Sequence, residues 1–386
     1  MLAPRRLLQL VVAILLLLPV LAGCSAGSAT AEPYKIGALF AVTGNNSPLG
    51  TPEKETAQLL EEQINAKGGI NGRKVQVIVY DTESDETKAV TLAKRLIEQD
   101  NVLAIVGPSS TGESMALQDT IAKAQIPLIS AASGAQIVQP VKPWVFSTPQ
   151  ISTLAVAEVR DYLKAKGLTK VAVLSDSGGW GTTGKSDLAN ALPPAGMQIV
   201  ASEAFGVQDK DMTVQLTKIR ATDAQALVVW GTNPGPAIIS KNAKALGLKI
   251  PIINSHGIAN KDFITLAGDA ANDVVLPAGK LLVANDLPDS DPQKAVLLAY
   301  AKDFQAKYNK PADTFGGHAY DALQLVFKAL QSGADTRAKV RDAIEGTKGM
   351  IGIGGTFNLS AQNHNGLAKG TFAMIRIKNG AWTWEK

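Results

Sequence analysis

The 386-residue sequence has one cysteine, Cys24, and three widely separated histidines, His256, His318 and His364. A lone cysteine makes no internal disulfide and no paired redox or zinc motif, and histidines so far apart carry no metal-ligand spacing. No G-x-S-x-G elbow is present. Paired acids such as Glu61 with Glu62, or Asp209 with Asp211, fall on predicted solvated faces or turns, so no enzymatic constellation emerges. No block of like charge exists either. The 38 basic residues are scattered among 34 acidic ones, and two of the basic residues, Arg5 and Arg6, sit at the extreme N-terminus. That pattern offers no basic face for a nucleic acid. Long apolar runs are also missing: residues 10–18 are uninterrupted, but Pro19 follows, whereas a membrane span needs about 20 apolar residues. Aromatics make up only 5% of the chain, so one that falls in a loop stands out.

What is present begins with a secretory pattern: Arg5 and Arg6, the apolar run, then a small-residue region. Residues 1–23 are expected to be a signal peptide. The segment ends Leu21-Ala22-Gly23-Cys24, which resembles the lipobox of bacterial lipoproteins and implies that Cys24 is lipid-modified. Residues 24–33 then read as a linker after the anchor, placing the protein outside the cytoplasm on a membrane surface.

From residue 34 a short apolar run rich in Val and Ile, a Gly or Ser turn and an amphipathic stretch recur in turn. Strands are expected at 34–42, 74–81, 102–107, 127–130, 170–175, 197–205, 226–231 and 251–254. They are apolar throughout rather than alternating, as strands of a parallel sheet covered on both faces are. Residues 53–67 carry helical periodicity and stop at Gly68-Gly69. The fold class is α/β, with two doubly wound parallel-sheet lobes. The first series ends near Ser147, and a second starts after Thr148-Pro149 with a helix over 151–166. After Leu276-Pro277 the pattern becomes polar and Pro-rich, then purely helical. Residues 352–384 turn β-rich, with turns at Asn365-Gly366 and Asn379-Gly380.

Several segments, in order and spacing, resemble the branched-chain amino-acid-binding family of ABC-transporter substrate-binding proteins. They include Lys35-Ile36-Gly37, the run Ile64-Asn65-Ala66-Lys67-Gly68-Gly69-Ile70-Asn71-Gly72, Val106-Gly107-Pro108-Ser109-Ser110, and Gly317-His318-Ala319-Tyr320-Asp321. The resemblance covers nearly all of the chain after the signal and implies the type I periplasmic binding fold. Two lobes, 34–147 with 285–350 and 148–284 with 351–386, would be joined by three crossings and close over a ligand. It also implies permease subunits as partners, a monomer, and no cofactor or metal. A sensor that presents its closed form to a receptor remains the alternative.

Ligands in such sheets bind beyond the carboxyl ends of the strands. The loop 107–112 follows a strand and opens a helix, so Ser110, Thr111 and free backbone N–H groups can receive a carboxylate; the same hydroxyls can instead cap the helix. In the family this loop holds the ligand carboxylate. Loop 130–134 contributes Ala132 and Ser133, where the resemblance implies contacts to carboxylate and amino group, although the family's usual threonine near Gly134 is absent. Trp180, in a glycine-rich loop, is expected to wall the ligand or to pack on the next helix. Asn233 is a weaker candidate, with a turn as its other role. Relatives that bind amino acids carry a glutamate where this chain has His256, which supplies no fixed negative charge. The ligand is expected to be a small carboxylate-bearing molecule, an aromatic or aliphatic organic acid or an amino acid. Unless it simply faces solvent from its loop, His256 favours one without an α-amino group, such as a benzoate derivative, an oxo acid or a small amide. Phe315 and His318 are assigned to packing. Finally, residues 179–186 spell the G-x-x-x-x-G-K-[ST] pattern of nucleotide-binding loops, but no later strand ends in a magnesium-holding aspartate.

Overall fold

The computed structural model describes residues 32–385; the expected signal peptide and Cys24 lie outside them. The strands are β1 (Tyr34–Phe40), β2 (Val75–Asp81), β3 (Ile105–Val106), β4 (Leu128–Ser130), β5 (Val145–Ser147), β6 (Lys170–Asp176) and β7 (Gln198–Phe205). They continue as β8 (Ala226–Trp230), β9 (Ile252–Asn254), β10 (Val275–Gly279), β11 (Met350–Ile351), β12 (Thr356–Phe357), β13 (Phe372–Lys378) and β14 (Ala381–Trp384). The first sheet has the order β2-β1-β3-β4-β5 and is parallel throughout. The second runs β14-β13-β10-β9-β8-β6-β7, parallel from β7 to β10, with β13 and β14 antiparallel at one edge.

The apolar strands follow from cover on both faces. Along β1, Ile36, Ala38 and Phe40 point into one hydrophobic cluster, while Leu39 points into another. In β6, Val171 and Val173 face one side and Ala172 and Leu174 the other. Each fully buried aliphatic side chain is worth roughly 1.5–3 kcal/mol relative to exposure, so residues alternating between two cores hold both helix layers onto each sheet.

The eight strands expected from sequence are present, mostly a residue or two shorter at their ends. Two were not read from the sequence. Val145–Ser147 and Val275–Gly279 are short and carry a Ser or Pro-Gly character that obscures them, and only pairing with β4 and β13 defines them. The Asn379-Gly380 turn closes the β13–β14 hairpin, with φ of 50° and 72°, as a two-residue type I′ turn requires. Asn365-Gly366 does not form a hairpin. Asn365 is buried, and its Nδ2 donates to Ser147 O and Pro149 O at 3.1 and 2.7 Å.

Among the described residues the chain leaves the first sheet after β5, builds β6 to β10 of the second and then turns back. Helices Lys294–Tyr308, Thr314–Gln331 and Arg337–Glu345 return toward the first sheet. Phe357, Leu359 and Leu367 pack in that sheet's core, beyond the 350/351 boundary that the family resemblance implied; composition marks the strands, but only packing shows which core they join. Buried amides and an acid tie the passages together. Gln150 Nε2 donates to Gly354 O at 2.8 Å, Gln293 Nε2 to Gly352 O at 3.0 Å, and Asp321 accepts from the N–H groups of Ile353 and Gly354 at 2.7 and 2.6 Å. Burial pushes the Asp321 carboxyl up to about 7.

Candidate functional site

Both sheets have a topological switch point, where chain order reverses: between β1 and β3 in the first, between β6 and β8 in the second. Loops leaving the carboxyl ends of strands at such points splay apart and form a crevice. Here the two crevices face one another. Asn45 and Asn46 after β1, Ser109 and Ser110 after β3, Asp176 and Gly178 at the end of β6, and Thr232 and Asn233 after β8 all line one cavity of about 250 Å³. The layers are drawn together around it: Asn260 Nδ2 donates to Pro48 O at 3.1 Å, Thr314 Oγ1 to Ala259 O at 3.2 Å, and Thr183 Oγ1 to Gln136 Oε1.

All seven residues selected from the sequence, Ser110, Thr111, Ala132, Ser133, Trp180, Asn233 and His256, line this cavity. Their local roles differ. The Ser110 hydroxyl serves the helix Thr111–Ala124 in a capping box, accepting from Glu113 N at 3.3 Å and donating to its carboxylate at 2.6 Å. The capping role foreseen for this loop is therefore real, and it fixes the loop. Ser109, not selected from the sequence, also reaches the cavity; its hydroxyl accepts from Ala41 N at 3.0 Å and donates to Glu53, whose carboxyl is raised well above its ordinary range by burial. Ala132 N is held by Ser130 Oγ at 3.1 Å.

Trp180 is nearly buried at 9% exposure, with Nε1 donating to Ser255 Oγ at 3.3 Å and its ring 5.2 Å from Trp230. It serves both as cavity wall and as part of the second sheet's core. Asn233 donates from Nδ2 to Asn260 Oδ1 at 3.2 Å, leaving Oδ1 unpaired. His256 sits edge-on to Trp180 at 5.1 Å and 5.0 Å from Phe372. Burial depresses its imidazole to about 3, so the ring is neutral at physiological pH. His318 and Phe315, assigned to packing from the sequence, are in the cavity wall as well. The sequence placed them near the cleft but ahead of a helix; they lie within the start of the helix Thr314–Gln331, and that end of it lines the crevice.

The electrostatics are set by backbone more than by side chains. Among the described residues no lysine or arginine lines the cavity, yet the N-cap residues of three helices do: Asn46, Ser110 and Gly178. Each helix start carries about half a positive charge and unpaired N–H groups. The two acids present are otherwise engaged or peripheral. Asp176 Oδ1 accepts from Gly178 N at 2.8 Å and Gly181 N at 3.1 Å, and desolvation raises its pKa to about 6; Glu86 is exposed at the rim.

The nucleotide-loop pattern at 179–186 has a packing explanation. A Cβ on Gly184 would lie 2.2 Å from the Trp230 ring, and one on Gly181 would lie 2.0 Å from Asp176 O. Lys185 is exposed and does not line the cavity. These glycines let the helix Gly179–Ala191 seat on its sheet.

Residues 33–381 match the family model described as "Periplasmic binding protein". The chain is 24% identical over 327 residues to the leucine-, isoleucine-, valine-, threonine-, and alanine-binding protein of Pseudomonas aeruginosa, covering 84% of this chain and 85% of that protein. Among solved structures, an extracellular ligand-binding receptor from Rhodopseudomonas palustris HaA2 superposes with a TM-score of 0.87 at 28% identity, covering 92% of this chain and 99% of the other. The branched-chain amino acid transporter substrate binding protein LivJ of Streptococcus pneumoniae, in complex with isoleucine, does so with 0.81 at 27% identity, covering 91% and 97%.

Proposed function

Since the chain belongs to the periplasmic binding protein family and has a solute-binding role outside the cytoplasm, we propose that it captures a small carboxylate lacking an α-ammonium group for an ABC importer. The single observation that carries the reading is the cavity's charge pattern. Helix N-termini converge on it, among the described residues no lysine or arginine lines it, and the residue facing Trp180 is a neutral histidine.

A carboxylate seated at the first turn of Thr111–Ala124 meets unpaired N–H groups and the Thr111 hydroxyl, in a site whose low dielectric strengthens each contact. An ammonium group, by contrast, meets no dedicated carboxylate, because Asp176 Oδ1 already accepts from two backbone N–H groups and Glu86 is exposed. The amino acids in the relatives' names are thus disfavoured here. Ligand entry, closure of the second lobe with Trp180 and His256, and delivery of the closed form to permease subunits complete the mechanism. A lipid on Cys24 would hold the monomer beside its transporter; among the described residues no helix is long and apolar enough to cross a membrane.

A thermal-shift screen across amino acids, aromatic acids and aliphatic acids tests this, since a ligand that binds only the folded form raises Tm. Acids are expected to stabilise the protein. Stabilisation by leucine-like amino acids alone would overturn the reading of His256.

A further inference from the structure

Asn260 stands at the N-cap of the helix Lys261–Ala267, a position where an asparagine side chain ordinarily accepts from the N–H groups of the first turn. Here the side chain caps nothing. Its amide is used elsewhere: Oδ1 accepts from Asn233 Nδ2 at 3.2 Å, and Nδ2 donates to Pro48 O at 3.1 Å. The residue is nearly buried, at 3% exposure, and does not itself line the cavity. Asn233 does, from the loop after β8. Pro48 belongs to the opposite lobe, in the first turn of the helix Ser47–Ala66, which packs on the first sheet through Ala57 and Leu60. Asn260 thus joins the cavity wall of one lobe to the backbone of the other.

The sequence provides the acceptor. A helical carbonyl normally receives the N–H of the residue four places on, and four places after Pro48 is Pro52, inside the same helix and without an N–H. Pro48 O therefore lacks that helical partner, and the Asn260 amide takes its place. Asn233 sets which end of the amide does so: with Oδ1 engaged by Asn233, Nδ2 is the end turned to Pro48. The neighbouring residue is held by the same lobe, since Ala259 O accepts from Thr314 Oγ1 at 3.2 Å, at the start of the helix Thr314–Gln331. When the lobes part, water can meet Pro48 O and the free amide, so the bond favours the closed form without burdening the open one.

We propose that Asn260 holds the closed form, as a positioning residue that acts through the Asn233–Asn260–Pro48 relay and not by touching the ligand. This rests on the lobe closure described above and is independent of the ligand's charge. The bond to Pro48 forms after the ligand is enclosed, so losing it speeds release and leaves capture alone.

Stopped-flow tryptophan fluorescence on the full chain tests this, with benzoate, 4-methylpentanoate and leucine as probes and the tightest binder followed in the variants. Asn260→Asp keeps the size, the acceptor for Asn233 and the N-cap preference, and loses only the donor to Pro48. Asn260→Ser also keeps the N-cap preference and is too short to reach Pro48. In each the dissociation rate is expected to rise about tenfold or more, with the association rate within about twofold and Tm without ligand near that of wild type. The two variants read the same bond, so either one that folds decides the matter. An unchanged dissociation rate, a loss carried by the association rate, a matching drop in ligand-free Tm, or no binding by any probe would overturn the proposal. The two readings fail separately. Faster release of leucine, with neither acid binding, keeps the role of Asn260 and sinks the carboxylate assignment; an acid that binds but leaves the variants no faster does the reverse.

Discussion

Gly179, at the start of a helix on the second sheet, lies against Gly112, in the first turn of a helix on the first sheet: a Cβ on Gly179 would stand 3.0 Å from Gly112 N. Two helix N-termini thus meet across the cleft, each bare of side chain, beside the loop that carries Ser110 and Thr111. Backbone meets backbone here, so a side chain at Gly179 has no flexible neighbour to displace.

Gly179→Val should therefore hinder closure more than folding. Ligand affinity is expected to fall about tenfold or more, since overpacking a tight contact costs about 1–3 kcal/mol. The melting temperature without ligand should stay close to wild type, because the glycine lies at a helix start outside either core. Small-angle scattering with saturating ligand checks the cause, and a variant that compacts on ligand addition as the wild type does would contradict it.

Thr111→Val removes one hydroxyl from the anion end of the cavity and little volume. Thr111 is 3% exposed and lines the cavity. Loss of about 1.5–3 kcal/mol in carboxylate affinity is expected, the range for a hydrogen bond to a charged group. Unchanged affinity by titration would remove this side chain from the mechanism and leave only the backbone N–H groups.

The buried imidazoles predict a pH dependence with a definite sign. Above pH 6.5 His256 is neutral both folded and unfolded. Below it the unfolded chain takes up a proton that the folded site, held near 3, refuses, so the stability associated with His256 is present above about 6.5 and lost progressively down to about 3. Buried acids oppose this. Asp313 and Asp321, raised to about 7, and Asp176, raised to about 6, are protonated earlier in the folded state and gain relative stability as pH falls toward 4. A His256→Gln variant isolates the first effect. Relative to wild type it should gain about 2 kcal/mol on going from pH 7.5 to pH 5. Denaturant titrations at the two pH values would show it, and a constant difference between the proteins would disprove the buried neutral state.

Cys24→Ser bears on the anchor. If lipid on Cys24 ties the protein to the membrane, the variant should move from the membrane to the soluble fraction on cell fractionation, with ligand affinity unchanged. A wild-type protein already soluble and unlabelled by a fatty-acid probe would rule the anchor out.

Much of this molecule follows from its sequence. Unbroken apolar runs such as Ala226–Trp230 could belong only to strands covered on both sides, and glycine or serine loops after them marked strand ends where ligands bind. Loop position and residue type pointed to Thr111 and Trp180, the family resemblance added weight to both, and His256 stood out through that resemblance, which implies a glutamate at its place. What the tertiary structure alone decided is which loops face one another and which side chains are left unpaired. The helix Thr314–Gln331 looks like core by its periodicity, and most of it is; only the return of the chain to the first sheet turns His318 and Phe315 toward the cavity. Likewise, residues 179–186 spell a phosphate loop, but packing against Trp230 and Asp176 assigns the glycines to the sheet. The physical reason is one of range. Propensity and patterning act over a few residues, whereas burial, pKa and pairing depend on neighbours dozens to hundreds of positions away, brought together only by the fold.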